Sequence, residues 1–317
     1  MEGRLVPRLD HAQAVSRLLI ASKFADTYRR LIGDARLPDL DITTDAAIAD
    51  IAFGEPSLIA PDIDRLRGVR WVQSTWAGVE PLLDPTRRRD YVLTNARGVF
   101  GPQMSEYVFA YVLAHERHLI EKFRAQQERR WDPAPPGMLP GKTIGLLGVG
   151  TIGAAIARTA KHFGMRVKGF TRASETSADV DEYFHGDDRG AFARDLDYLV
   201  AVMPNTAKTR HLVDADLLAA LPPHAVFINP GRGSTVDEDA LAAALRAKRI
   251  AGAVLDVFHQ EPLPPDHVFW TLPNVLITSH TAALSFPELI APIFIDNYRR
   301  FVNGQPLRYV VDFRDEY

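Results

Sequence analysis

Residues 145–157 read GLLGVGTIGAAIA, and this stretch decides the fold. A buried-strand run, TIGLLG (143–148), turns directly into a helical pattern. Gly148-Val-Gly150-Thr-Ile-Gly153 spaces its glycines as G-x-G-x-x-G. The first glycine permits the tight turn, the second lets backbone approach a pyrophosphate, and the third lets helix and strand pack closely. The helix opening at Thr151 offers N–H groups and a positive dipole end to phosphate oxygens. A turn that needs small residues and binds nothing is the bland alternative. The strand before the motif and the helix after it argue against that. Gly148, Gly150, Thr151, Ile152 and Gly153 are the first cofactor candidates.

Downstream, short apolar runs alternate with helical patterns. RVKGFT (166–171), DYLVAVM (197–203), AVFIN (225–229), GAVLDVF (252–258) and NVLITS (274–279) read as strands. DADLLAAL (214–221) and VDEDALAAALRAK (236–248) read as helices between them. Upstream, RLLIAS (17–22), IADIAFG (48–54), RWVQST (70–75) and YVLTNA (91–96) read as strands, with helices near Phe24–Ile32 and Pro61–Leu66. Alternation of this kind predicts an α/β protein of two doubly wound, parallel-sheet domains. Between the halves, residues 105–130 predict one long helix, apolar on more than one side, and the proline-rich 132–140 segment predicts a linker.

Composition narrows the function. The chain has 317 residues, 46% hydrophobic and 24% charged, with 37 basic against 40 acidic residues. That balance gives no sign of a nucleic-acid partner. The basic run Arg87–Arg88–Arg89 is expected to be solvated surface. Without cysteine there is no disulfide, thiolate metal site or cysteine nucleophile. The opening MEGRLVPRLDHAQ lacks the apolar core of a signal peptide, and the longest uncharged apolar run, 143–157, is shorter than the ~18 residues of a membrane span. The expectation is a cytoplasmic protein with no membrane partner.

The second strand addresses cofactor choice. In this fold an acidic residue about 20 positions after the glycines holds the ribose hydroxyls of NAD. Here VKGFTRAS (167–174) puts Thr171 there, 18 residues after Gly153, followed by Arg172 and Ser174. A carboxylate would repel a 2′-phosphate, whereas hydroxyls and a guanidinium favour it. NADP is therefore the expected cofactor, with NAD possible if Arg172 is a bystander.

Ligands of open α/β sheets bind beyond the carboxyl ends of the strands. Pro204 and Thr206 follow one strand, Arg232 the next and Glu261 the next; Asp256 lies within GAVLDVF, and His280 follows the last strand. Singly, these would be a surface arginine, a loop acid and a satisfied histidine. Together they suit hydride transfer to a 2-oxo acid. Histidine supplies a proton near neutrality, a carboxylate beside it favours imidazolium, and arginine grips a carboxylate with parallel donors. Pro204, Thr206 and Asp256 complete the expected cofactor set.

NPGRG (229–233), DVFHQEPLP (256–264) and SHTA (279–282), in this order after GVGTIG, resemble the D-isomer-specific 2-hydroxyacid dehydrogenase family over nearly the whole chain. The resemblance implies Arg232 as clamp on carboxylate and carbonyl, Glu261 as the partner that raises the histidine's pKa, and His280 as general acid/base. It also implies that WVQSTWAGVE (71–80) is the substrate loop, with Trp76, Ala77, Gly78 and Val79 at the substrate. The sequence departs there: Trp76 replaces a frequent glycine and Glu80 an aspartate. Trp76 either narrows the pocket or packs inside its domain. His259 has no matched role and is expected to face solvent. The resemblance further implies a discontinuous, flavodoxin-like substrate domain (1–99 and 286–317), a Rossmann domain (100–285) and a homodimer built on the long helix. It leans towards the glyoxylate/hydroxypyruvate reductase branch, giving the D-2-hydroxy acid. Two alternatives stand beside it: an NAD-linked dehydrogenase of a bulkier 2-oxo acid, and a dinucleotide-sensing, corepressor-like binding protein.

Overall fold

The computed structural model describes residues 15–314. The N-terminal MEGRLVPRLDHAQ and residues 315–317 lie outside the described residues. Two compact units form: one runs to Val99 and resumes at Ser285, the other is Phe100–Leu284.

The first unit is a parallel sheet of β1 (Ser16–Ala21), β2 (Leu40–Thr43), β3 (Ile51–Gly54), β4 (Trp71–Ser74) and β5 (Val92–Thr94), in the order β2-β1-β3-β4-β5. That is the flavodoxin-type order. Helices α1 (Ala25–Asp34) and α2 (Pro56–Ile59) belong to its first half. The last helix of the chain packs on the same sheet.

The second unit opens with α3 (Gly101–Glu116) and α4 (Leu119–Gln127). Its sheet holds β6 (Thr143–Leu147), β7 (Arg166–Phe170), β8 (Glu182–Phe184), β9 (Tyr198–Ala201), β10 (Val226–Asn229), β11 (Gly252–Leu255) and β12 (Val275–Ile277), ordered β12-β11-β10-β9-β6-β7-β8. Every pairing is parallel. Helices α5 (Thr151–His162), α6 (Arg189–Ala193), α7 (Ala215–Ala220) and α8 (Glu238–Arg246) connect the strands, and α9 (Pro287–Val302) follows in the first unit. On β6 and β9, Leu147, Leu199 and Ala201 enter one core while Ile144, Leu146, Tyr198 and Val200 enter the other. Strict alternation into two cores is what a sheet covered on both faces requires, and it explains the near-continuous apolar runs.

In the first unit α9 closes the core: Phe294 stacks on Trp71 at 5.3 Å and Asn297 donates to Gln73 at 3.0 Å. Asp214 and Asp237 cap α7 and α8 by accepting from Leu217 and Ala240. Such caps are worth about 1 kcal/mol each.

Three expectations are corrected. The helix read at 61–66 lies earlier, as α2 and the tight turn Ala60–Asp62. Pro56 takes the first helical position with its φ preset, and Pro61 lacks the N–H needed to prolong α2. The long helix over 105–130 is two helices, because His118 adopts a left-handed φ of 51°. No glycine or proline marks that break. The Arg87–Arg89 run is not simply solvated. Arg88 donates to the carbonyls of Leu66 and Val69, Arg89 to that of Leu83, and their guanidinium groups lie over Tyr91 and Phe313. Here arginines, not apolar side chains, tie a loop to its unit. Among the described residues no helix is long and apolar enough to cross a membrane.

Candidate active site

The strand order of the second unit's sheet reverses at β6, which lies between β7 and β9. Gly148 leaves β6 with φ +100°, a conformation that favours glycine, and a Cβ there would come within 3.1 Å of the Met203 backbone. A Cβ on Gly153 would sit 2.2 Å from the Gly148 carbonyl oxygen, whereas one on Gly150 would meet nothing within 4 Å. Gly150 also caps α5 without a side-chain hydrogen bond, so no side chain covers the first-turn amides. Open space at the middle glycine beside an uncapped helix start fits a pyrophosphate. Thr151 and Ile152 begin that helix. The loop after β9 is closed on itself: Thr209 donates to the Pro204 carbonyl at 2.7 Å and accepts from the Thr206 N–H at 2.9 Å.

At the end of β7 the Thr171 hydroxyl donates to the Ser174 carbonyl at 2.8 Å, folding the segment back over Arg172. Thr171 thus shapes its own loop.

The turn after β10 carries Arg232. Asn229 braces it by accepting from the Gly231 N–H at 3.1 Å and donating to the Arg232 carbonyl at 3.1 Å. A Cβ on Gly233 would lie 2.0 Å from the Phe258 carbonyl carbon, so this turn touches the loop after β11 with no room for a side chain. That loop presents Glu261. One of its carboxylate oxygens accepts from the Phe258 N–H at 2.9 Å, the other from His280 Nδ1 at 2.7 Å. Nε2 remains as the nitrogen available to a substrate oxygen.

His280 sits beyond β12 with φ +54°. Asp256, 1% exposed, holds it there. The Asp256 carbonyl accepts from the His280 N–H at 2.8 Å, and its carboxylate takes the Thr281 and Ala282 N–H groups at 2.9 Å each, with the Thr278 hydroxyl as a further donor. Since Thr278 donates to Asp256, the Tyr107 hydroxyl at 2.8 Å must donate to Thr278. Charge-assisted bonds of this kind are worth about 1.5–3 kcal/mol apiece, enough to hold a left-handed histidine. Asp256, expected among the cofactor residues, has its oxygens committed to this clasp.

The electrostatics follow from the pairing. The hydrogen bond and charge of Glu261 raise the His280 pKa above the usual imidazole value, against burial and the Arg232 charge. Burial pushes the Glu261 carboxyl up, but the His280 and Phe258 hydrogen bonds and both positive charges outweigh it and hold it low. The pair therefore favours imidazolium–carboxylate. His259, exposed as expected, nonetheless stacks on His211 at 5.3 Å, and its N–H reaches Glu238 at 2.9 Å.

In the first unit, the carbonyls of the 76–79 loop accept from one backbone and two side-chain donors. The Trp76 carbonyl accepts from Ala96 at 3.0 Å and Ser74 at 2.9 Å, and Asn95 reaches the Ala77 carbonyl at 2.8 Å. Gly78 follows, and Val79 is buried. Trp76 is 38% exposed, which removes the option that it packs inside its unit.

Residues 109–282 match the family model described as D-isomer specific 2-hydroxyacid dehydrogenase, NAD binding domain. The chain belongs to the D-isomer-specific 2-hydroxyacid dehydrogenase family. It is an NAD(P)-dependent oxidoreductase of 2-hydroxy and 2-oxo acids. Among members, it is 35% identical over 257 residues to glyoxylate/hydroxypyruvate reductase A of Serratia proteamaculans, covering 78% of this chain and 80% of that one. A family structure from Aeromonas salmonicida is 41% identical, with TM-score 0.89, covering 95% of this chain and all of that one. Another, from Xanthobacter autotrophicus in complex with NADPH and MES, is 32% identical with TM-score 0.87, covering 96% and 100%.

Sequence reasoning passed over Asn229, Tyr107 and the clasp role of Asp256. Asn229 stands inside NPGRG, three positions before the arginine it braces, so the motif itself held a signal. Tyr107 lies 171 residues from Thr278 and gave none.

Proposed function

We propose that this protein reduces a small 2-oxo acid of the glyoxylate or hydroxypyruvate type with NADPH, giving the D-2-hydroxy acid. The observation that carries the proposal is the 2.7 Å His280–Glu261 pair, with the Arg232 charge acting on both members. Bound NADPH supplies the hydride. Gly148, Gly150, Thr151, Ile152 and Gly153 would hold its pyrophosphate, Pro204 and Thr206 would border it, and Thr171, Arg172 and Ser174 would receive the 2′-phosphate. The residues of this chain do the rest. Arg232 binds the carboxylate and polarises the carbonyl. His280 passes its Nε2 proton to the carbonyl oxygen as negative charge develops there. Asp256 keeps the histidine in place.

Support for NADPH comes from the missing acid at Thr171, from Arg172 beside it and from the NADPH complex of the Xanthobacter relative. Support for the small substrate comes from likeness to the Serratia reductase. The reading includes a cytoplasmic homodimer, supported by exposed Leu119, Phe123, Trp131 and Met138 in and after α4; a solution mass of a single chain would remove the dimer.

Initial rates with glyoxylate test the proposal. Turnover with NADPH is expected to exceed that with NADH by at least about tenfold, the scale of a lost charge-assisted pair. Equal rates would remove the cofactor preference, and no rate with either would point to a larger 2-oxo acid.

Replacing Glu261 by Gln removes the main influence raising the His280 pKa, while burial and Arg232 still press it down. Reduction needs the protonated form, so activity falls as pH rises through that pKa. In the Glu261→Gln variant the falling limb should move to lower pH by about one unit or more. A kcat/KM profile with an unmoved limb would end the pairing argument.

A further inference from the structure

One strand over from the cofactor-selecting segment lies a histidine that the reaction does not use. β7 and β8 pair Phe170 with Phe184, which sets His185 beside Thr171. Its Nδ1 is 2.9 Å from the Thr171 carbonyl oxygen and its Nε2 is 2.7 Å from a Glu175 carboxylate oxygen. A carbonyl and a carboxylate only accept, so the full bridge needs hydrogen on both ring nitrogens, which is the imidazolium form. The ring lies parallel to Tyr183 at 6.5 Å, and the Tyr183 hydroxyl receives the Ser177 N–H at 3.0 Å. Residues 171–177 are thus pinned at both ends by β8, through His185 and Tyr183.

The segment TRASETS has no apolar residue larger than alanine to anchor it, so this polar bridge supplies its order. Glu175 matters for a second reason: an uncompensated carboxylate here would repel a phosphate.

We propose that His185 is a specificity-determining residue for the cofactor: by bridging Thr171 and Glu175 it shapes the loop that receives the 2′-phosphate and cancels the Glu175 charge. The proposal rests on the NADPH reading. The charged and titratable groups around the ring are Glu175 on the loop, Asp188 ahead of α6 and Tyr183 on β8. The Glu175 hydrogen bond, the Thr171 carbonyl and the Glu175 and Asp188 charges raise the His185 pKa, while desolvation opposes them. The bridge is complete below that pKa and fails as pH rises through it.

The test uses adenosine 2′,5′-bisphosphate and 5′-AMP, which differ only in the 2′-phosphate, with affinity read by calorimetry and no turnover involved. The whole wild-type chain is expected to prefer the bisphosphate. His185→Gln should cut bisphosphate affinity about tenfold, the scale of a lost charge-assisted contact, and leave 5′-AMP affinity unchanged. Adding Glu175→Gln should recover part of the preference. In the wild type the preference should decline as pH rises through the His185 pKa, and in His185→Gln that decline should be absent. A wild-type preference unaltered in His185→Gln, or an equal loss for both ligands, overturns the proposal and leaves the NADPH reading standing. No recovery in the double variant overturns the charge-cancelling part. A wild type without preference overturns the NADPH reading, and this proposal with it.

Discussion

His280→Gln is expected to slow 2-oxo acid reduction by about 10²- to 10⁴-fold, the range of a lost general acid. Glutamine can still donate an N–H to Glu261, so the loop after β12 should keep its place. Asp256 holds that loop independently, through the Thr278, Thr281 and Ala282 donors. Glutamine has no proton to give at neutral pH. The loss should therefore fall on kcat, with cofactor affinity unchanged by calorimetry. It should also remove the falling limb of the pH profile, since the titrating group is gone. A loss below tenfold, or a limb that survives, would mean another group protonates the substrate.

Arg232→Ala should lower kcat/KM by about 10²- to 10³-fold, comparable to removing one donor from a site of developing negative charge. Unlike the histidine variant, it should raise KM as well, because a carboxylate grip by Arg232 would act in both ground and transition states. Arg232→Lys should recover only part, since a point charge does not reproduce two parallel donors. Arg232→Ala also removes the Nη1–H bond to the Gly231 carbonyl at 2.8 Å, but Asn229 still braces the turn through main-chain atoms of residues 231 and 232. The Arg232 charge also opposes protonation of His280, so its removal should shift the limb upward, opposite to Glu261→Gln. Steady-state profiles of the two variants side by side check both directions. Unchanged kinetics in Arg232→Ala would remove this residue from the site.

The glycine turn was legible because its chemistry is local. The turn, the close approach and the helix start all lie within 148–153, and each demands a residue type the sequence displays. The central strands were legible for a related reason. Covered on both faces, β6, β9, β10 and β11 have to be apolar throughout. The edge strands β2 (LDIT) and β8 (EYF) were missed. An edge strand is short and half solvated, and its composition resembles a loop. The break at His118 was also missed, because the left-handed residue carries no glycine or asparagine to announce it.

The sequence by itself determined the order of the chemistry along the chain. Arginine, glutamate and histidine each follow a strand, and the parallel topology sends every strand's carboxyl end to the same edge of the sheet. Tertiary structure alone decided the contacts made at that edge. It made Asp256 a buried clasp for the histidine, drew Tyr107 to Thr278 across 171 positions, and set His185 against Thr171 through strand pairing. Spacing in sequence fixes which strand a residue follows. Hydrogen bonds between strands and loops distant in the chain depend on which elements lie side by side, and only the folded sheet decides that.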